Sequence, residues 1–319
     1  MNEFPLKISS GAFLGSWWEN KKKETIMTNN IGAEIWLKSK NCSRIIFNWP
    51  SLKKDLISTI LISIDHGKFY SKTLKSNFFK LNLNPKKEHL IRIMTQTLEK
   101  NSVSAAWKLL NYFCLKKISY NGELVGQIPK RGTLIFLGDS ILNGKGINFP
   151  NNPNMYRPDL SWDFLMSEKL NLNNIRIAYQ GIGITNKAKA YPPTSIEIIW
   201  QISKNIPRII APFCKIKSVI VNLGSNDKKA NKKEFLFALK ALVRELKKRF
   251  HEINIIVIEP FDGSFKEVFE NFFHNYKKIF LIQNKNWLFE TKEDIYLSKK
   301  GHKEAYKVLL PLLKDKINA

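Results

Sequence analysis

The chain changes rhythm before its middle. Up to about residue 128, short apolar and aromatic runs recur at strand-like spacing: AEIWLKS (33–39), RIIFNWP (44–50), LISTILISID (56–65), HLIRIMTQT (89–97) and KKISYNGELVG (116–126). In HLIRIMTQT, Leu90, Arg92 and Met94 fall on one side and Ile91, Ile93 and Thr95 on the other, the two-residue period of a strand. Asp65-His66-Gly67 and Asn121-Gly122 are hairpin turn signals, because these residue types tolerate the positive φ of a tight reversal. Short strands at regular spacing, with no long helical period, predict an all-β sandwich over residues 1–128.

After IPKRG (128–132) the pattern differs. Apolar runs appear at 134–137 (LIFL), 175–179 (IRIAY), 218–223 (SVIVNL), 253–258 (INIIVI) and 279–282 (IFLI), with segments of helical spacing between them. The clearest is KKEFLFALKALVRELKKRF (232–250), where Leu236, Leu239, Leu242, Leu246 and Phe250 recur three or four residues apart. Strands alternating with helices predict a parallel sheet covered on both faces, so residues 129–319 are expected to form an α/β domain. Ligands of such sheets bind beyond the carboxyl ends of the strands, which makes the loops after each apolar run the place to look for chemistry.

Composition narrows the choice. The chain has 319 residues, is 44% hydrophobic and has no run of apolar residues long enough to span a bilayer. Its formal charge of +25 comes mostly from lysines dispersed in twos and threes (Lys21 to Lys23, Lys86-Lys87, Lys232-Lys233, Lys299-Lys300). A bias toward Lys, Asn and Ile accounts for that charge as a solvated surface, and no specific nucleic-acid partner is expected. Cys42, Cys114 and Cys214 are odd in number and widely spaced, which supports neither a disulfide framework nor a metal site. The N-terminus has Glu3 and no continuous apolar run before Lys21, so a cytoplasmic location is expected. Trp17, Trp18, Trp36 and Trp49 could stack on sugar rings, but a sandwich core is their more usual place.

Three loops carry candidate chemistry. Gly138-Asp139-Ser140 follows LIFL directly, and a helix is expected to start near Ser140, where free N–H groups would stabilise an oxyanion. YQGIGITN (179–186) follows the second run, and Gly181 or Gly183 can present a bare backbone N–H. NLGSNDKK (222–229) follows the third, with the amide of Asn226 as a further donor. Taken singly each is a common turn sequence; all three close successive strands of one sheet.

FLGDS, then a glycine-rich loop, then GSND resembles the SGNH (GDSL-type) hydrolases, a three-layer α/β/α group of esterases, lipases and carbohydrate deacetylases. The resemblance covers about residues 131 to 319. It implies Ser140 as nucleophile, an oxyanion donor at Gly183 or Gly181, the amide donor at Asn226, and no metal or organic cofactor. With a β-sandwich ahead of it, the layout looks like the two-domain family-two carbohydrate acetylesterases. The jelly-roll hairpin of that family is echoed by IDHGKFY (64–70). The expected fold is therefore a jelly-roll-like β-sandwich followed by a three-layer α/β/α domain.

The serine needs a base. In the family it is a histidine a few residues before a Gly-His that opens the last helix. Gly301-His302 fits that second position, but six residues earlier stands Tyr296, preceded by Glu293 and Asp294. A tyrosine hydroxyl, with a pKa of about 10, is a poor base at neutral pH. His302, supported by Asp294 or Glu293, is the candidate substitute, and His274 and His251 are others. The expected function is an O-acetylesterase acting on an acylated small molecule or carbohydrate through an acyl-enzyme on Ser140. The alternatives are a catalytically weak glycan- or ester-binding protein, since Tyr296 replaces the histidine, and an O-acetyltransferase.

Overall fold

The computed structural model describes residues 1–50, 58–98, 103–148, 151, 156–211, 213–274, 276, 279–292 and 296–318. In the first half, β1 (Glu34–Lys40), β2 (Arg44–Asn48), β3 (Ser58–Ile64), β4 (Tyr70–Leu74), β5 (Phe78–Asn82), β6 (His89–Thr97), β7 (Lys117–Tyr120) and β8 (Glu123–Gly126) build two antiparallel sheets. One runs β8-β1-β6-β3-β4; in the other β2 lies between β7 and β5. Ile35, Leu37, Ile60, Ile62, Ile91 and Ile93 of the first sheet meet Ile45, Phe47, Leu81 and Ile118 of the second in one core. That core is a β-sandwich. The opposite face of β6 is buried as well, with Met94 packed on Phe164 of the second half and Arg92 paired to Glu34 at 2.8 Å.

The two turn signals have different outcomes. Asp65 and His66 both take positive φ (54° and 60°) and join the antiparallel pair β3 and β4. Asn121-Gly122 does not close a hairpin: β7 pairs with β2 and β8 with β1, in different sheets. The side-chain oxygen of Asn121 accepts from the Ser43 and Arg44 N–H groups, at 3.1 and 2.9 Å. Those bonds tie the turn to the β1–β2 link, which also passes from sheet to sheet. Trp17, Trp18, Trp36 and Trp49 are all buried, as is Trp107, and form no platform.

In the second half, β9 (Thr133–Gly138), β10 (Asn173–Ala178), β11 (Ile216–Asn222), β12 (Asn254–Ile258) and β13 (Ile279–Ile282) form a parallel sheet in the order β10-β9-β11-β12-β13. Its main helices are α1 (Trp162–Lys169), α2 (Lys232–Arg249), α3 (Lys266–Phe273) and α4 (Lys299–Asn318). Consecutive strand residues serve opposite layers. Ile135, Leu137, Val219, Val221, Ile255 and Val257 pack under Leu239, Leu242, Leu246 and Phe269 of α2 and α3. Leu134, Phe136, Ile220 and Ile256 pack against Met166, Ala305, Leu309 and Leu313 of α1 and α4. A sheet buried on both faces needs such continuous apolar runs, as the sequence supplies.

Polar groups also bridge the two halves: Arg208 donates to the Asn30 side-chain oxygen at 2.8 Å, and the Tyr179 hydroxyl to that of Asn29 at 3.0 Å. Among the described residues, no helix is long and apolar enough to cross a membrane.

Candidate active site

Strand order positions the site. Gly138, the last residue of β9, pairs with Ala178 at the end of β10 and with Asn222 at the end of β11, so three loops leave the sheet at one level. The chain passes to opposite sides of β9 to form β10 and β11, and the connections diverge there to open a crevice. A cavity of about 300 Å³ occupies it. Ser140, Gly181 and Asn226 line the cavity together with Phe261, Trp287 and Tyr296 from loops farther along the sheet.

No helix starts at Ser140. Residues 140–148 are successive turns, with the Lys145 N–H donating to the Ser140 carbonyl at 3.2 Å, and the next α-helix begins at Trp162. Gly144 and Gly146 take φ of +70° and +93°, values a right-handed helix cannot include. The loop nevertheless carries unpaired donors. Among the described residues, neither the N–H nor the hydroxyl of buried Ser140 has a hydrogen-bond partner, and nor does the Gly181 N–H.

Asp139 and Asn226 form a linked pair. One Asp139 oxygen accepts from the Ile141 N–H at 2.9 Å and the other from the Asn226 amide at 2.7 Å. Burial pushes the Asp139 carboxyl up to about 6, against the pull of those two donors and with a smaller push from Asp262. The Asn226 amide also donates to the Ile182 carbonyl at 3.1 Å. Both of its hydrogens are therefore engaged, although the residue lines the cavity.

Gly183 is not at the cavity wall. A Cβ there would lie 2.4 Å from an oxygen of Asp227. The Asp227 carboxylate accepts from the Ile184 N–H at 2.9 Å and from the Thr185 N–H and hydroxyl at 2.7 Å each. Gly183 thus lets Asp227 clamp the loop, and Gly181 is the loop glycine that lines the cavity. The Asp139–Asn226 bond, the Asp227 clamp and the aromatic walls Phe261, Trp287 and Phe289 leave no motif in the sequence. Inspecting the loops after the last two apolar runs would have found the aromatics.

His302 is turned away from the cavity. It sits in α4, fully buried, and its Nδ1 accepts from the Trp162 N–H, the first of α1, at 3.2 Å. Burial, helped by the nearby Arg176, pushes its imidazole down to about 3, and a helix N-terminus also disfavours a cation. It caps α1 and takes up no proton at neutral pH. Asp294 and Glu293, its suggested supports, lie outside the described residues.

The other histidines are elsewhere. His66 is in the exposed β3–β4 turn, His89 is bound to Asp65 at 2.7 Å, and His251 and His274 are exposed near the ends of α2 and α3. None of the chain's 5 histidines lines the cavity. Tyr296 does, with the Lys145 ammonium 4.5 Å from its ring centroid. Among the described residues, no group of three His, Cys, Asp or Glu side chains is placed to hold a metal ion.

No protein-family model matches the sequence, and no curated protein matches it. Solved structures do match the fold. A family-two carbohydrate esterase from Cellvibrio japonicus superposes with a TM-score of 0.78 at 15% identity, covering 96% of this chain and 95% of that one. A family-two carbohydrate esterase from Clostridium thermocellum, solved with cellohexaose, gives 0.75 at 15% identity over 96% and 98% of the two chains. A salicylyl-acyltransferase from a tetracycline biosynthetic pathway gives 0.66 at 10% identity over 99% and 98%. The chain thus shares with these structures a two-part fold, a β-sandwich joined to a three-layer α/β/α domain.

Proposed function

We propose that the protein binds an acylated carbohydrate in this cavity, with the acyl carbonyl against the Ser140 and Gly181 N–H groups, and that acyl transfer to Ser140 is slow because no imidazole serves it. One observation carries the reading: the cavity keeps its serine and two unspent backbone donors, while all 5 histidines lie elsewhere. Two fixed N–H groups at a strand end suffice to hold a carbonyl oxygen. An oxyanion site without a working triad retains only about 10³–10⁴-fold acceleration over water. The apolar side of the cavity suits a sugar ring, with Trp287 and Phe289 5.7 Å apart and Phe261 6.2 Å from Trp287.

The test compares acetyl release from acetylated xylo-oligosaccharides by the parent, Ser140→Ala and Tyr296→His. The parent is expected to bind and barely turn over. Tyr296→His should raise the rate about 10²-fold or more, the contribution of a general base, and adding Ser140→Ala should abolish the gain. A parent turnover of about 10 s⁻¹, ordinary for an enzyme, that vanishes in Ser140→Ala would overturn the reading in favour of a working esterase.

A further inference from the structure

Residues 66–87 carry Lys68, Lys72, Lys75, Lys80, Lys86 and Lys87 and not one Asp, Glu or Arg. They include β4 and β5, which are the outer strands of the two different sheets of the sandwich. The short link between them crosses from one sheet to the other. Along that open edge runs a groove of about 490 Å³, lined by Lys72, Lys75 and Lys80 with Phe78 and Phe79. Lysines on edge strands discourage pairing with another chain, and that alone would explain charge here. It does not explain exposed aromatics beside the charge: Phe78 is 53% exposed and Tyr70 47%. The Lys72 ammonium reaches across from β4 to within 5.8 Å of the Phe79 ring centroid on β5. Among the described residues, Lys72, Lys75 and Lys80 have no acidic partner.

We propose that this groove is a second carbohydrate-binding site, selective for an anionic polysaccharide bearing carboxylate or sulfate groups. Three ammonium groups with no acidic partner among the described residues supply the charge complementarity, and the exposed Phe78 ring in the groove receives the C–H face of a sugar ring. The absence of arginine argues against a nucleic acid. Arg is the residue whose planar fork grips phosphate in pairs of hydrogen bonds, whereas lysine acts as a point charge. The site is separate from the Ser140 cavity, and its occupancy does not depend on what that cavity does.

The full chain is assayed for binding to polygalacturonate, neutral xylan, single-stranded DNA and phosphatidylserine vesicles. Expected is binding to polygalacturonate that weakens as salt rises from about 50 to 300 mM, as screening of charge contacts requires. The triple variant Lys72→Gln, Lys75→Gln, Lys80→Gln should lose at least tenfold in affinity and Phe78→Ala several-fold, with Lys307→Gln, an exposed lysine on α4, equal to the parent. Circular dichroism and melting of each variant show that it is folded, and Phe78→Ala leaves every charge in place. Undiminished binding by the folded triple variant, xylan bound as tightly as polygalacturonate, or DNA or vesicles bound at least as tightly would overturn the proposal. So would no binding at low salt.

Discussion

Replacing His302 with alanine separates a fold-holding imidazole from a catalytic one. The ring is fully buried and gives the Trp162 N–H its acceptor at 3.2 Å. Its removal orphans that N–H in a dry site, which costs about 1–3 kcal/mol. The void left by the ring, at about 24 cal/mol per Å³, adds on the order of 1–2 kcal/mol. The sum is about 2–5 kcal/mol. With an unfolding entropy of about 2.1 cal/mol/K per residue, a chain of 319 residues loses about 1.5 °C for each kcal/mol. Scanning fluorimetry at neutral pH should therefore show Tm lower by about 3–7 °C. Ester binding and residual acetyl release at 25 °C, measured per folded molecule, should stay within about twofold of the parent, since a group with its pKa near 3 has no proton to exchange at pH 7. An unchanged Tm with a loss of about 10² or more in kcat, the size of a general-base effect, would refute this argument and restore His302 as the base.

Asp227→Ala removes the acceptor of three hydrogen bonds from Ile184 and Thr185 and should destabilise the chain by about 3 kcal/mol or more. Because the same loop carries Gly181, ester affinity should also fall, by about tenfold if one carbonyl contact is lost; calorimetric titration checks both, and unaltered affinity would show that the clamp does not position the donor. Asp139 predicts a pH effect. Its folded pKa of about 6 exceeds the ordinary 3.8, so the folded chain holds that proton more tightly. Its contribution to stability is complete below about pH 4 and is lost as pH rises through about 6. The upper limit is about 3 kcal/mol at 1.36 kcal/mol per pKa unit. Denaturant titrations of the parent and Asp139→Asn should diverge across that window, and parallel curves would remove the case for a buried, reluctant carboxylate.

Elements whose information is local can be read along the chain. Each apolar run of the second half became a strand of the parallel sheet, because a strand buried on both faces leaves a continuous apolar trace. That Ser140, Gly181 and Asn226 meet at one cavity was legible for a related reason: each follows a strand end, and level strand ends bring their loops together. Where side chains turn, and what already occupies them, depends on packing. Asn121-Gly122 has the chemistry of a hairpin, yet its strands entered different sheets once Asn121 bonded to Ser43 and Arg44, far away in sequence. Asn226 has the right amide in the right loop, but Asp139 and the Ile182 carbonyl take both of its hydrogens. His302 stands near the position a base would take in the sequence, and a backbone N–H 140 residues away claims its ring. A residue's type and spacing fix what it can bond to; which partner it meets depends on packing between segments that carry no trace of one another in sequence.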